Sequence, residues 1–551
     1  MHSPARPPVR RVTAIGVAAL ALGLLLGTAA PTIAQDHDHS GPRPEKLGQA
    51  HFETSCSPAA QREFDRALAM LHSFFFPETV KTFTNVATLD PSCAIAWWGV
   101  AFAQRPNPLV GPFDDGVLQR GLDAVDKGLA VGPKTPRERE YLAALREEYK
   151  DYKTVDQDTR SRNYRNAMAE LVRKYPDDIE ATIFYALALN EAYDHSDSTY
   201  ADLVKAATLL EPIERKYPDH PGIKHYIIHS YDVPPLAQRG LAAADQYADL
   251  APTVPHALHM PSHIYSMLGL WEKSIAGNLK TIEVGQAYAK EAKLDGVYPG
   301  DLHSYDFIQY AYLQLGQDRL AKALVDEVAA ITRVYTPRLS SETGQSAPPA
   351  RYCLERQDWA CAAALQPLGL SPAAEAITYF SRALGKARSG QAAAAQADLD
   401  TLAELRKKLF ITSQHYWVEQ LDIQALTVRA WLAQSAGNRS EATTLMRQAA
   451  DREDKSVKHV AMENRLYPMR ELLADLLLAN GDAAGSLKEY ETALGNAPAR
   501  LRGLYGAGKA AEAAGNMTKA TDYYRSLVRL TEKADTERPE IKEAKAFLAR
   551  R

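Results

Sequence analysis

"LRGLYGAGKAAEAAGNMTKATDYY" (residues 501–524) decides how the rest of the chain reads. Alanine, leucine and glycine crowd its first half, Gly515 interrupts them, and a second apolar-periodic run follows at once. That pattern is a helix, a glycine turn and another helix, because glycine supplies the left-handed backbone that ends the first. The same unit returns in "LGLWEKSIAG" (268–277), "LGQDRLAKAL" (315–324), "SGQAAAAQAD" (389–398), "AGNRSEATTL" (436–445) and "NGDAAGSLKEYETAL" (480–494). Many second helices run into proline, as in "ATLDP" (87–91), "RKYPDD" (173–178), "RKYPDH" (215–220), "ADLAP" (248–252) and "LGNAP" (494–498). Pro218 and Pro252 stand 34 residues apart, the length of one such pair.

This pattern resembles the tetratricopeptide-repeat (TPR) superfamily, whose unit is a 34-residue helix–turn–helix. Its pattern has an aromatic at position 4, small residues at 8 and 20, Tyr at 11, Gly at 15 and Pro at 32. "DPSCAIAWWGVAFA" (90–103) supplies Pro91, Trp97 and Ala101 in phase, and the opening stretch supplies Gly508, Gly515, Ala520 and Tyr524. Small residues let the two antiparallel helices approach closely. The resemblance implies an all-α fold, a right-handed α-solenoid of about nine to eleven repeats whose first helices line a concave groove. "SSETGQSAPPA" (340–350) reads as a linker that divides the array into an N-terminal lobe (53–339) and a C-terminal lobe (351–551).

The chain is 46% hydrophobic and 24% charged, and its net charge of -4 gives no basic footprint for nucleic acid. Residues 1–34 differ from the rest. Arg6, Arg10 and Arg11 precede the apolar run "VTAIGVAALALGLLLGTAAPTIA", which ends in small residues. A basic start, a short apolar core and a small-residue boundary read as a secretory signal, cut after Ala34 or at the competing "TAA" (28–30). Three arginines and no acids leave with it, taking the charge from -4 to about -7. No other stretch reads as a membrane span. Residues 35–52 form a polar linker that begins "QDHDHSG"; with Gln35 as a free amino terminus after cleavage, that amine and His37 are placed to chelate Cu(II) or Ni(II), which another cleavage site would abolish.

An exported chain meets an oxidising compartment, where cysteines can pair. The four cysteines fall as Cys56/Cys93 and Cys353/Cys361. "YCLERQDWACAAAL" (352–365) fits the helix–turn–helix with Gln357 where glycine is usual, which sets Cys353 and Cys361 on facing helices. Both pairs read as disulfides or as buried free thiols.

Six of the chain's 15 histidines fall in one region. By the TPR resemblance, positions 2, 5, 9 and 12 of each first helix face the groove. Prolines, glycines and tyrosines set the phase, with repeats starting at Pro221, Pro255 and Leu302. His225, His229 and Asp232 then fall at 5, 9 and 12; His256, His259 and His263 at 2, 5 and 9; His303 and Asp306 at 2 and 5. Eight of the twelve groove positions hold His or Asp. Imidazole and carboxylate are the ligands that Zn, Cu, Ni and Fe favour, and two histidines at i, i+4 share a helix face. The eight residues are candidate ligands, with Asp232 and Asp306 either ligands or orienting groups. The competing reading is a polar groove in which the histidines bond to tyrosines and acids. His72 in "LAMLHSFFF" and His459 read as satisfied histidines, and "HVAMENRLYPMRELL" (459–473) as one helix lining the groove.

"HYIIHSYD" (225–232) and "PHALHMPSHIY" (255–265) further resemble a group of exported bacterial TPR proteins. That resemblance implies fold and export and supplies no activity. There is no G-x-S-x-G, P-loop or H-E-x-x-H pattern, so an enzyme is the weaker expectation. The leading one is an exported, periplasmic or extracellular scaffold that holds a transition metal, Zn or Cu, and presents it to a protein or peptide partner. A plain peptide-binding TPR module and a metal-dependent enzyme stand as alternatives.

Overall fold

Helix follows helix from Pro58–His72 to Pro539–Ala549, each packed chiefly on its neighbours in sequence. This computed structural model describes residues 45–550. The candidate signal and the "QDHDHSG" segment lie outside the described residues. The fold is all-α, a solenoid of helix–turn–helix pairs; the one β feature among the described residues is an isolated bridge between Val297 and Val334. No helix described is long and apolar enough to cross a membrane.

Local chemistry explains where the helices begin and end. Ser57 accepts from the Ala60 amide and Thr135 from the Glu138 amide, each followed by a proline whose missing N–H is no loss in a first turn. Gly269 turns the chain at φ +70° into the Trp271–Glu291 helix. Gln357 takes the same role at φ +50°, where the repeat usually has glycine. Cys56 is bonded to Cys93, and Cys353 to Cys361 across the Gln357 turn.

The first helices of the three central repeats are Pro221–Tyr231, the broken pair Pro255–His259 and Pro261–Met267, and Pro299–Gln314. The middle one is not the single helix that its phasing suggests. Pro261 has no amide to give to the preceding turn, so the hydrogen-bond ladder stops there, while Met260 keeps helical angles (φ -53°, ψ -39°).

Three sequence readings of chain organisation change. Residues 340–350 are not a linker but part of the buried Leu339–Leu354 helix. Their serines, glycine and prolines mimic a linker, yet the small side chains serve packing: a Cβ on Gly344 would lie 2.3 Å from the Leu302 carbonyl of the adjoining helix. Nor do two lobes separate there. From Lys46 onward the chain is one unit, and the last repeats return to the central ones. Trp271 Nε1 donates to the Ala499 carbonyl (2.8 Å), Leu501 N to Gln314 (3.0 Å), and Arg538 pairs with Asp318 (2.6 Å). Finally, the end of the 35–52 linker is anchored, because Phe52 is fully buried against Phe64, Trp98 and Tyr141.

Candidate metal centre

The six phased histidines gather into two clusters of three. His225, His229 and His256 form one, and His259, His263 and His303 the other; within each, one ligand atom per residue lies within 4.8 Å of the others. His225 Nε2 stands 3.1 Å from both His229 Nε2 and His256 Nε2. His259 Nε2 stands 3.1 Å from His263 Nε2. Ligands about 2.0–2.1 Å from a shared ion and 3.1 Å from each other subtend about 100° at it. The spacing therefore fits a transition ion.

Hydrogen bonds on the far side of three of the six rings, His225, His259 and His263, orient those rings. His225 Nδ1 lies 2.6 Å from the His72 carbonyl oxygen, which can only accept, so Nδ1 carries the proton and Nε2 the lone pair. His259 Nδ1 lies 2.6 Å from Asn278 Oδ1. The amide cannot be flipped, because Asn278 Nδ2 donates to the Ser274 carbonyl at 2.8 Å. His263 Nδ1 lies 2.8 Å from Asp232 Oδ2. The Lys458 ammonium donates to that oxygen too, at 2.8 Å, and sits 3.2 Å from His263 Nδ1, two donors converging on one acceptor.

The consequence is chemical. With the His263 proton on Nδ1, toward Asp232, His259 and His263 turn two lone pairs toward each other at 3.1 Å, and neither neutral ring has a proton to offer there. Such a contact calls for a cation between them. Burial disfavours a proton in that role. It pushes His225 down to about 3 and His259 to about 4, and drives His229, His256, His263 and His303 well below the ordinary imidazole range. An Nδ1–H held by carbonyl, amide or carboxylate while Nε2 faces inward is how metal-binding histidines are oriented.

A third group, His72, Glu180 and His220, meets the same distance test and fails the chemical one. Both rings reach Glu180 through Nε2 at 2.9 Å, and the Tyr226 hydroxyl meets His72 Nδ1 at 3.0 Å. Each contact pairs a donor with an acceptor. His72 is a satisfied core histidine whose backbone carbonyl supports His225.

Of the two acids read as candidates, Asp232 stands behind His263. Asp306 is apart from the clusters: it pairs with Arg351 (2.7 Å), both fully buried, and accepts from the Glu463 amide (3.0 Å). A buried guanidinium competes more effectively for a carboxylate than a distant imidazole does. Sequence reasoning missed Asn278, which lies on a second helix, and Lys458. The latter belongs to residues 457–468, which are irregular rather than the helix expected over 459–473; helix resumes at Met469, after Pro468. It missed Phe74 and Phe307 as well, which pack against the two clusters.

An all-α TPR-like scaffold with two three-histidine clusters is the class that fold and site define. No family model matches the chain, and no curated protein matches it. Among solved structures, a tetratricopeptide repeat protein from Parabacteroides merdae is 13% identical, with 67% of this chain and 98% of that one covered and a TM-score of 0.24. Human IFIT1, solved as a dimer with PPP-AAAA, is 12% identical over 84% of this chain and 89% of that one, with a TM-score of 0.34. Similarity this low carries no functional argument, and the fold assignment rests on the helix pairs themselves.

Proposed function

We propose that the protein is an exported TPR-like scaffold that holds transition-metal ions, copper or zinc, in its two three-histidine clusters. The observation that supports this most directly is the facing pair of lone pairs on His259 and His263, fixed by Asn278 and Asp232. Imidazole nitrogen suits both metals, and three protein ligands leave a position for a further ligand or for a partner that receives the ion. Export is supported by the basic-apolar leader and by the two disulfides, which persist in oxidising compartments. The mature protein, purified without a histidine tag, should carry up to two equivalents of copper or zinc by elemental analysis. His256→Ala/His259→Ala/His263→Ala should carry a tenth of that or less. Equal metal content in both proteins would end the proposal.

A further inference from the structure

The two clusters are copies of one another under the repeat. His225 and His229 recur 34 residues later as His259 and His263. The third member of each cluster comes from the next repeat, at position 2: His256 for the first and His303 for the second. Each cluster also has one phenylalanine packed against all three rings. Phe74 lies 4.5, 6.0 and 5.3 Å from His225, His229 and His256, and Phe307 lies 4.7, 5.0 and 5.2 Å from His259, His263 and His303.

The clusters also adjoin. The rings of His229 and His263 are 6.2 Å apart and those of His256 and His259 6.3 Å, closer than His229 is to His256 within one cluster (6.5 Å). The ligand set is six imidazoles with no carboxylate and no thiolate. The nearby carboxylate of Asp232 is already matched by Lys458. Such a site has no negative charge to offset divalent ions, and the cost of burying an ion rises with the square of its charge. Two monovalent ions suit it best, and among the metals that favour imidazole copper has that state.

Resting on the metal-binding reading above, we propose that the adjoining clusters form one two-copper centre whose ligand is dioxygen. Each copper(I) gives one electron to a single O2 molecule. The O–O double bond becomes a single bond, and the resulting peroxide is shared by two copper(II) ions. No proton and no other reductant enters that step. The phenylalanine walls favour an uncharged diatomic over a charged substrate.

The test uses the whole mature protein, loaded with copper(I) without oxygen, assayed for copper and then exposed to O2. Two coppers per chain should bind and one O2 should be consumed per pair. An intense charge-transfer absorption should appear, with little electron paramagnetic resonance signal because the two copper(II) spins pair. His303→Gln, which spares the first cluster, should keep one copper and its helical circular dichroism and lose at least tenfold in O2 uptake. Two bound coppers that consume no O2, or that give two independent copper(II) spins, would overturn the dioxygen proposal and leave metal binding standing. Zinc bound where copper does not bind would overturn the two-copper centre and leave metal binding standing; no uptake of copper or zinc would overturn both.

Discussion

Asn278 offers the sharpest test of the reasoning, because it touches a candidate ligand without being one. Its Oδ1 accepts from His259 Nδ1 at 2.6 Å, and its own Nδ2 donates to the Ser274 carbonyl at 2.8 Å. Asn278→Ala removes both bonds and leaves a fully buried imidazole N–H without an acceptor. That orphan costs about 1–3 kcal/mol of stability in the metal-free protein. The ring also loses what fixes its tautomer, so its proton can move to Nε2 and block the ligand position. Loss of such an outer partner typically lowers metal affinity 10–100-fold, or about 1.4–2.7 kcal/mol. Competition with a chromophoric chelator measures this, with the metal-free melting temperature recorded alongside. The weakened site should be one of two, so the titration should split into one unchanged and one weakened equivalent. Asn278→Asp, which keeps an acceptor toward His259, should restore most of the affinity. If Asn278→Ala melts earlier yet binds both equivalents within twofold of the parent, the amide supports only the fold and the tautomer argument fails.

The disulfides should differ in weight. Loop-closure entropy gives about 4 kcal/mol for a 37-residue separation and about 2.5 kcal/mol for 8 residues, so Cys56→Ala/Cys93→Ala should lower denaturant resistance more than Cys353→Ala/Cys361→Ala. Burial pushes His459 down to about 3, and its Nδ1 accepts from the Ala461 amide. Its folded pKa is below the unfolded one, so its stabilising share is present above about pH 6.5 and is lost as pH falls toward 3. Urea unfolding at pH 7 and pH 5 should therefore show the parent losing about 2 kcal/mol more than His459→Asn; equal losses would refute this. Gly269→Ala should lower the melting temperature more than Gly437→Ala. Both sites have positive φ, which costs about 1 kcal/mol, but only at Gly269 would the new Cβ meet another segment, 2.6 Å from Ala499 Cβ.

The repeat and the histidines were legible because both carry periodic marks. Pro218, Pro252 and Gly269 set a phase, and that phase places six histidines at groove positions of three successive repeats. What stayed hidden lacks such marks. The His72 carbonyl is backbone, and any residue type could present it. Asn278 differs from other second-helix asparagines only by what it faces. Asp306 was in phase, but Arg351 lies 45 residues on, and nothing local signals that it claims the carboxylate. The "SSETGQSAPPA" stretch misleads for a related reason: small residues mark a flexible linker and a close helix contact alike, and only the presence of the Leu302 carbonyl decides between them.

Lys458 bears on the alternative reading of a plain peptide-binding groove. Such a groove must leave its position 5 and position 9 side chains open to a ligand. Here His225, His259 and His263 are at most 3% exposed. The irregular 457–468 segment lies against the same repeats, with Lys458 on Asp232, Glu463 N on Asp306, and the Ala461 carbonyl accepting from Thr343. A peptide would have to displace that segment and break a buried ion pair, which costs several kcal/mol. A small ion or diatomic needs no such displacement. The chain's own 457–468 segment occupies that side of the central repeats, and this leaves the groove-facing histidines buried and desolvated.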